Sequence, residues 1–424
     1  MIETIDSLSV DQKNLLGVEK MSRALEGIRV VDLSHVLAAP ITTMFLADLG
    51  AEVIHVEPPR GDDAREFGPF VGDAGKNRSG YFISLNRNKK SMVLDLRKEA
   101  GKKILRQLIE VSDVLIENYR PTTMRKLGFS WEEIQEINPR IIYASISGFG
   151  QYSLPGYDSR PSYDMVAQGY SGLMSITGPE GGQPCRVGSS VGDIFSGHQA
   201  AIGILAALIY RDKSGKGQHY DGAMVDGLFA VLENAVVRHT ISGEIPGPLG
   251  SRHPSITPFQ SLKTKDSWII AAIGNDILWA RFCEVIDRED LTGDPRFKTN
   301  RLRTEHVKEL IPIISEEIFK KTTKEWSELF EKADLPYSPV NSIKDICADP
   351  HISYRNMLVE IDQPEVGRMT IAGSPIRLSE TPGEVYAPAP LLGQHTEEIL
   401  KNVLSYSEGD IDALKREGII NKQS

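Results

Sequence analysis

Residues 28–40 read IRVVDLSHVLAAP, and the fold turns on how this stretch is read. Ile28–Asp32 is a short apolar run between Gly27 and Ser34, the pattern of a strand buried on both faces. Ala39–Leu49 then reads as a helix, stopped by Gly50. The same alternation recurs downstream. Strands are predicted at Glu52–Val56, Ser91–Leu94, Asp113–Ile116 and Arg140–Ser147, with helices at Lys98–Val111 and Trp131–Ile137. Alternating strands and helices build a parallel α/β sheet with right-handed crossovers. The loop after the first strand, DLSHVLAAP, carries no GxGxxG. The sheet therefore reads as Rossmann-like without the fingerprint of an NAD or FAD site.

The rest of the chain sets bounds on that reading. At 424 residues it exceeds the roughly 250–300 at which a single core stops growing, so two domains are expected. A composition of 40% hydrophobic and 25% charged residues is that of a folded chain. The 58 acids and 48 bases leave a net charge of −10, and no basic block stands out. Nucleic acid and anionic membranes are thus not expected as partners, and an anionic ligand would need local basic residues. Cys185, Cys283 and Cys347 lie too far apart for a disulfide framework or a zinc site, and reduced thiols fit a cytoplasmic protein. No continuous apolar run long enough for a membrane span appears, and residues 1–23 read as a polar extension rather than a secretory signal.

From Phe149 to Ser190 the pattern gives way to Gly, Pro, Ser and Tyr, the composition of long functional loops. Helices are predicted again at Ser196–Asp212 and Val225–Ser242, and the loop PGPLGSRHPS after Ile245 reads as a domain boundary. Beyond it, Ser267–Ile273 reads as a strand, and helices are predicted near Trp279–Ile286, His306–Lys321, Lys324–Ala333, Glu397–Leu404 and Gly409–Glu417. One acid stands apart. Asp193, in VGDIFSG at 191–197, sits at the mouth of an apolar helix. It reads either as a helix cap or as a nucleophile that a flanking glycine lets substrate approach.

Eight strings occur in consistent order: LEGIRVVDLSHVLAAP, LGAEVIHVEPPRGDDAR, NRNKKSMVLDL, DVLIENYRP, SGKGQHYDGAMVDG, RHPS, GDPRF and APLLGQHT. Together they resemble the class III CoA-transferases, from about Ala24 to Gly418. The resemblance implies a large Rossmann-like CoA-binding domain made from both chain ends (24–228 and 350–424), with a smaller α+β domain (229–349) inserted. It also implies an interlocked dimer, or a heteromer with a related subunit. The substrates would be a CoA thioester and a free carboxylic acid, with no tightly bound cofactor and no metal.

Carried residue by residue, the resemblance makes Asp193 the nucleophile. An aspartate suits CoA transfer because its carboxyl carbon can hold an acyl group as an anhydride and then CoA as a thioester, with no general base needed. The resemblance places CoA against His35, Val36, Leu37 and Ala38, then Leu94 and Arg97, then Asn118, Tyr119, Arg120 and Lys126; Arg60, after the second strand, reads on its own as a phosphate contact. Tyr163 and Asp164 are expected to orient Asp193 or the acyl group. The family's glycine-containing loop has its nearest match at Gly274-Asn275-Asp276, which also reads as an ordinary turn. Leu37 stands where members acting on formate and oxalate carry glutamine, which points away from those acids.

Arg120, Arg160, Arg186 and Arg252 fall in the loops expected around the site, and a distal carboxylate would need such an arginine. This leans toward succinyl-CoA as donor and a dicarboxylate or aryl-substituted succinate as acceptor. A related racemase or epimerase is the alternative. It needs two bases, and where racemases carry a histidine this chain has Tyr163, whose class of side chain titrates near 10.

Overall fold

A computed structural model describes residues 23–72 and 78–421. The extension expected over 1–23 lies outside the described residues except for Arg23. The chain forms two compact units. The first takes the chain up to Gln168, then Ser190–Val231, then Tyr354 onward; the second takes Gly169–Ser189 and Leu232–Ser353. This division departs from the expected boundaries mainly at Gly169–Ser189, which the sequence reading leaves in the large domain. Local contacts explain the difference: Gly250 N–H donates to Gly178 O at 2.9 Å, and Arg252 pairs with Glu180 at 3.2 Å.

The first unit is built on six parallel strands: β1 (Arg29–Asp32), β2 (Glu52–Glu57), β3 (Lys90–Val93), β4 (Val114–Glu117), β5 (Ile142–Ser147) and β6 (Gln218–Ala223). Their order across the sheet is β3-β2-β1-β4-β5-β6. β1–β5 fall where the apolar runs predict them. β6, with the sequence QHYDGA, lacks both an apolar run and alternation, and its place on the sheet edge leaves four of its six residues short of full burial. The order reverses direction between β1 and β4. In open α/β sheets, ligands bind in the crevice outside the strand ends at that reversal.

Both faces of the sheet are covered. On one, Ile104, Leu105, Leu108 and Ile109 of a helix at Glu99–Glu110 meet Ile399, Leu400, Ile411 and Leu414 from the chain's last helices. On the other lie α1 (Ala38–Asp48) and a 24-residue helix, Val191–Ser214, which starts five residues before its predicted beginning. Their contact is made by small residues: Ala38, Ala39 and Ala47 face Ala200 and Ala207 in one core. Gly197 sits at the crossing. A Cβ there would lie 2.3 Å from Ile41 Cγ2 and 2.6 Å from Ala38 O, so only glycine allows the helices this close. Thr42 Oγ1 donates to Gly197 O at 3.0 Å and fixes the register of the crossing.

By length and composition alone the Val191–Ser214 helix could cross a membrane. Its buried face, including Gly197, Ala200, Ile204 and Ala207, is accounted for by packing on the sheet. The helix expected over Val225–Ser242 is two, Met224–Ala230 and Asn234–Ser242, broken at Glu233 with φ 49°.

The second unit carries an antiparallel sheet in the order Tyr337–Pro339, Trp268–Ala272, Phe259–Lys263. One face of it is closed by helices through buried Trp279, Phe282, Trp326 and Phe330. Trp326 Nε1–H donates to Ile318 O at 2.7 Å, so its polar atom is satisfied inside the core.

Candidate active site

A cavity of about 300 Å³ opens at the C-terminal ends of β1 and β4, all within the first unit. Its walls are His35–Ala38 after β1, Asn118–Pro121 after β4, Arg160–Tyr163, and Asp193. Asn118 ties the two strand-end loops together: its Oδ1 accepts His35 N–H at 2.9 Å and its Nδ2 donates to His35 O at 2.8 Å. The His35 ring stacks on Tyr119 with centroids 5.5 Å apart. Burial pulls the His35 imidazole below its usual pKa, which keeps it neutral at pH 7. α1 begins at this cavity with no side-chain cap and no acid in its first turn. The N–H groups of Ala38 and Ala39 and the positive dipole end of the helix therefore lie at the cavity.

Asp193 is the third residue of its helix, not the cap; the N-cap position is Ser190. Among the described residues no group donates a hydrogen bond to its carboxylate. Burial, and then the negative charge of Asp164, push the Asp193 carboxyl up to about 7. Asp164 has a second task. Its Oδ1 accepts Gly192 N–H at 2.8 Å and its Oδ2 accepts Gln168 Nε2–H at 2.8 Å, so it pins the helix start one residue before Asp193. Gly192 does not open space for substrate, as the sequence reading has it. A Cβ there would lie 3.1 Å from Asp164 Oδ1 and 3.2 Å from Leu228 Cδ1, so the glycine makes room for the protein's own packing.

Two further cavities extend this one. The next, about 220 Å³, shares His35 and Tyr119 with it and adds Arg60 and Asp62. The last, about 270 Å³, shares Arg60 and Tyr119 and adds Leu94 and Arg97. The three share lining residues in a run along the strand ends from Asp193 to Arg97. Both distal arginines are exposed and paired locally: Arg60 with Asp63 at 2.6 Å, Arg97 with Asp95 at 2.8 Å. Lys126 is exposed and lines none of the three.

The structure sorts the arginines. Arg120 lines the Asp193 cavity, and among the described residues its guanidinium has no acidic partner. Arg160 lines the same cavity with its guanidinium over the Phe149 and Tyr157 rings, 5.1 and 5.0 Å from their centroids. Arg186 and Arg252 belong to the second unit. Arg186 donates to Val187 O and Gly188 O in its own loop at 3.0 Å each, and Arg252 pairs with Glu180 at 3.2 Å. Gly274-Asn275-Asp276 is a helix start: Asn275 Oδ1 accepts Ile277 and Leu278 N–H at 3.0 and 2.9 Å, and Asp276 holds buried Arg303 at 2.8 Å. Its side chains are spent on capping and pairing.

Tyr163 is 76% exposed at the cavity rim. Sequence reasoning missed Ser147, Gly148 and Ser162, which line the cavity from β5 and the following loop. It also missed Tyr81, whose hydroxyl is pushed up to about 12 by burial and then by the Asp193 charge. Only the position of Ser147 at a strand's C-terminal end could have flagged it.

Comparisons with known proteins show the family. Residues 25–396 match CoA-transferase family III. The chain is 40% identical over 402 residues to human succinyl-CoA:glutarate CoA-transferase, covering 94% of this chain and 90% of that protein. It is 38% identical over 389 residues to succinyl-CoA:mesaconate CoA-transferase of Haloarcula hispanica, covering 89% and 96%. The crystal structure of a CaiB/BaiF family protein from Brucella suis superposes with a TM-score of 0.79 at 36% identity, over 90% of this chain and 99% of that one. The chain is an enzyme of CoA-transferase family III.

Proposed function

We propose that the enzyme moves CoA from succinyl-CoA to a dicarboxylic acid, with Asp193 as the group that carries both halves of the exchange. The observation that bears most weight is the Asp193 carboxyl itself: it lines the cavity with no hydrogen-bond donor among the described residues, at one end of three cavities that share lining residues and reach Arg97. The named relatives that use succinyl-CoA with glutarate or mesaconate support the substrate class.

In the proposed sequence, Asp193 Oδ attacks the succinyl-CoA carbonyl. The C–S bond breaks, giving an aspartyl–succinyl anhydride and CoA thiolate. The thiolate attacks the Asp193 carboxyl carbon, releasing succinate and leaving an aspartyl-CoA thioester. The acceptor carboxylate attacks that thioester, and the thiolate it releases attacks the acceptor's carbonyl, which forms the new acyl-CoA and frees Asp193. Every step needs an oxyanion stabilised, and the open N–H groups at the start of α1 are suited to it. CoA lies along the three cavities past His35, Tyr119 and Leu94 toward Arg60 and Arg97. Arg120, which lines the same cavity as Asp193 and among the described residues has no acidic partner, receives the acid's distal carboxylate, and Arg160 assists.

The working form in this reading is a dimer of interlocked subunits, each with its second unit inserted as a smaller domain. Exposed Ile202, Ile209 and Tyr210 on the Asp193 helix and Ile241 and Ile245 beyond it are apolar surface a second copy would cover. Light scattering should return twice 46.9 kDa. The chemistry is tested by mass spectrometry of enzyme held with succinyl-CoA alone. A succinyl or CoA adduct on the Asp193 peptide is expected. An unmodified Asp193 with exchange intact would overturn the mechanism, and deuterium uptake at the acyl α-carbon without CoA exchange would favour a racemase.

A further inference from the structure

The loop between β1 and α1 is held in an unusual way. Three successive backbone N–H groups are each taken by a different side chain. Ser34 N–H donates to Asp32 Oδ1 at 3.0 Å, His35 N–H to Asn118 Oδ1 at 2.9 Å, and Val36 N–H to Asp62 at 3.1 and 3.2 Å from its two oxygens. Val36 has φ 65°, a left-handed conformation that a β-branched residue adopts only under constraint. The next two residues, Leu37 and Ala38, form the cavity wall and open α1. The strained turn therefore sets where the free N–H groups of the helix start point.

One side chain joins two of the three anchors. His55, fully buried on β2, lies between Asp32 and Asp62: Nδ1 is 3.2 Å from Asp32 Oδ2 and Nε2 3.7 Å from Asp62 Oδ2. Neither contact has hydrogen-bond geometry, and among the described residues neither ring nitrogen has a better partner. What holds the ring is charge between two carboxylates. Lys89, also fully buried, approaches Asp32 from another side at 3.3 Å. None of these groups touches the cavity except Asp62, which lines its extension.

We propose that His55 is a positioning residue: through Asp62 and Asp32 it clamps the strained Val36 turn, and so fixes the β1–α1 loop against which the CoA ester binds. This inference rests on the transferase reading above. Burial would lower the His55 pKa, but Asp32 and Asp62, with Glu57 farther off, outweigh it and raise it to about 9. The imidazolium faces these carboxylates, with Lys89 and His35 as the other charged or titratable neighbours. The sign follows: the clamp is intact below about pH 9 and fails as the pH rises through that value.

The test uses the full-length enzyme and CoA itself as probe, by calorimetry and in the exchange assay. His55→Gln and Asp62→Asn should weaken CoA binding at least tenfold and raise KM similarly, with kcat changed less than threefold. Ile411→Ala, a core truncation on the opposite face of the sheet, serves as a control matched for loss of Tm and should leave KM alone. The wild-type Kd should rise between pH 8 and 10, and that limb should be missing in His55→Gln.

Folded variants with Kd and KM within twofold of wild type would overturn the proposal. So would a control that raises KM as much as they do. If neither variant folds, a flat wild-type Kd from pH 7 to 10 overturns it and a loosening near pH 9 sustains it. Failure of the transferase reading shows separately, as wild-type enzyme that does not bind CoA.

Discussion

Asp32, fully buried, and Asp193, partly buried, are carboxylates at one end of the same sheet, and their surroundings treat them in opposite ways. Asp32, fully buried at the end of β1, is surrounded by Lys89, His55, Ser34 and Thr43. Burial alone would raise its pKa; Lys89 and His55 outweigh that and hold it far below the usual carboxylate range. Among the described residues Asp193 receives neither cation nor donor; burial, and then the charge of Asp164, raise its pKa to about 7. A charge satisfied on all sides holds structure but has no lone pair free to attack. A carboxylate left without partners is held less comfortably and is chemically available. The sheet therefore separates the two roles: one acid is used up in positioning the loop, the other is kept open for reaction.

Removing each acid should break this comparison in different ways. Asp193→Ala should lower CoA exchange by about a thousandfold or more while CoA still binds, because the covalent route is gone. A variant retaining a tenth of wild-type exchange would refute the assignment. Asp32→Asn should act on stability. It strands Lys89 and His55 as buried cations, at about 3–5 kcal/mol, measured by urea denaturation. Asp193→Asn should do the reverse. A folded pKa raised above the unfolded one favours the protonated state, so native stability falls as the pH rises from about 4 to about 7. The amide removes that loss. A gain in Tm at pH 8 that disappears at pH 4 is expected, and a uniform loss would show that Asp193 is structural.

Much of this was legible in the chain itself, for identifiable reasons. Buried parallel strands are nearly uninterrupted apolar runs, so β1–β5 stand out in the sequence, whereas polar β6 at the sheet edge does not. Asp193 stands out in the sequence as an acid at the start of an apolar helix. What the chain could not reveal is which glycine served what. Gly192 and Gly197 sit in similar strings, yet one accommodates Asp164 and Leu228 and the other Ile41 and Ala38, contacts made across 28 residues or more. The Asp32–His55–Asp62 cluster was hidden for the same reason. Its members come from three separate segments, and no spacing rule brings them together. Arg252 pairs with Glu180 and Asn275 caps a helix within the second unit, contacts that residue type alone does not announce.

The cavity's arginines sharpen the comparison from the substrate side. If Arg120 reads a distal carboxylate, Arg120→Gln should cut kcat/KM for a dicarboxylic acceptor by about ten- to a hundredfold, the range for a lost bidentate contact. A monocarboxylic acid of equal length should be nearly unaffected. An equal loss for both acids would instead assign Arg120 to CoA.

The smallest expected effect bears most directly on why Asp193 is poised. Asp164 raises the Asp193 pKa through its charge, and it holds Gly192 through an oxygen that an amide also offers. Asp164→Asn should therefore keep the helix start while removing the repulsion. More Asp193 would then be ionised at low pH, and the rising limb of kcat/KM, centred near pH 7 in wild type, should move to lower pH by up to about one unit. At pH 6 the variant should be severalfold faster relative to its own maximum than wild type is; at pH 8.5, where both are ionised, the two should differ little. A limb that stays in place would mean that burial alone sets the Asp193 pKa, and that Asp164 acts on geometry only.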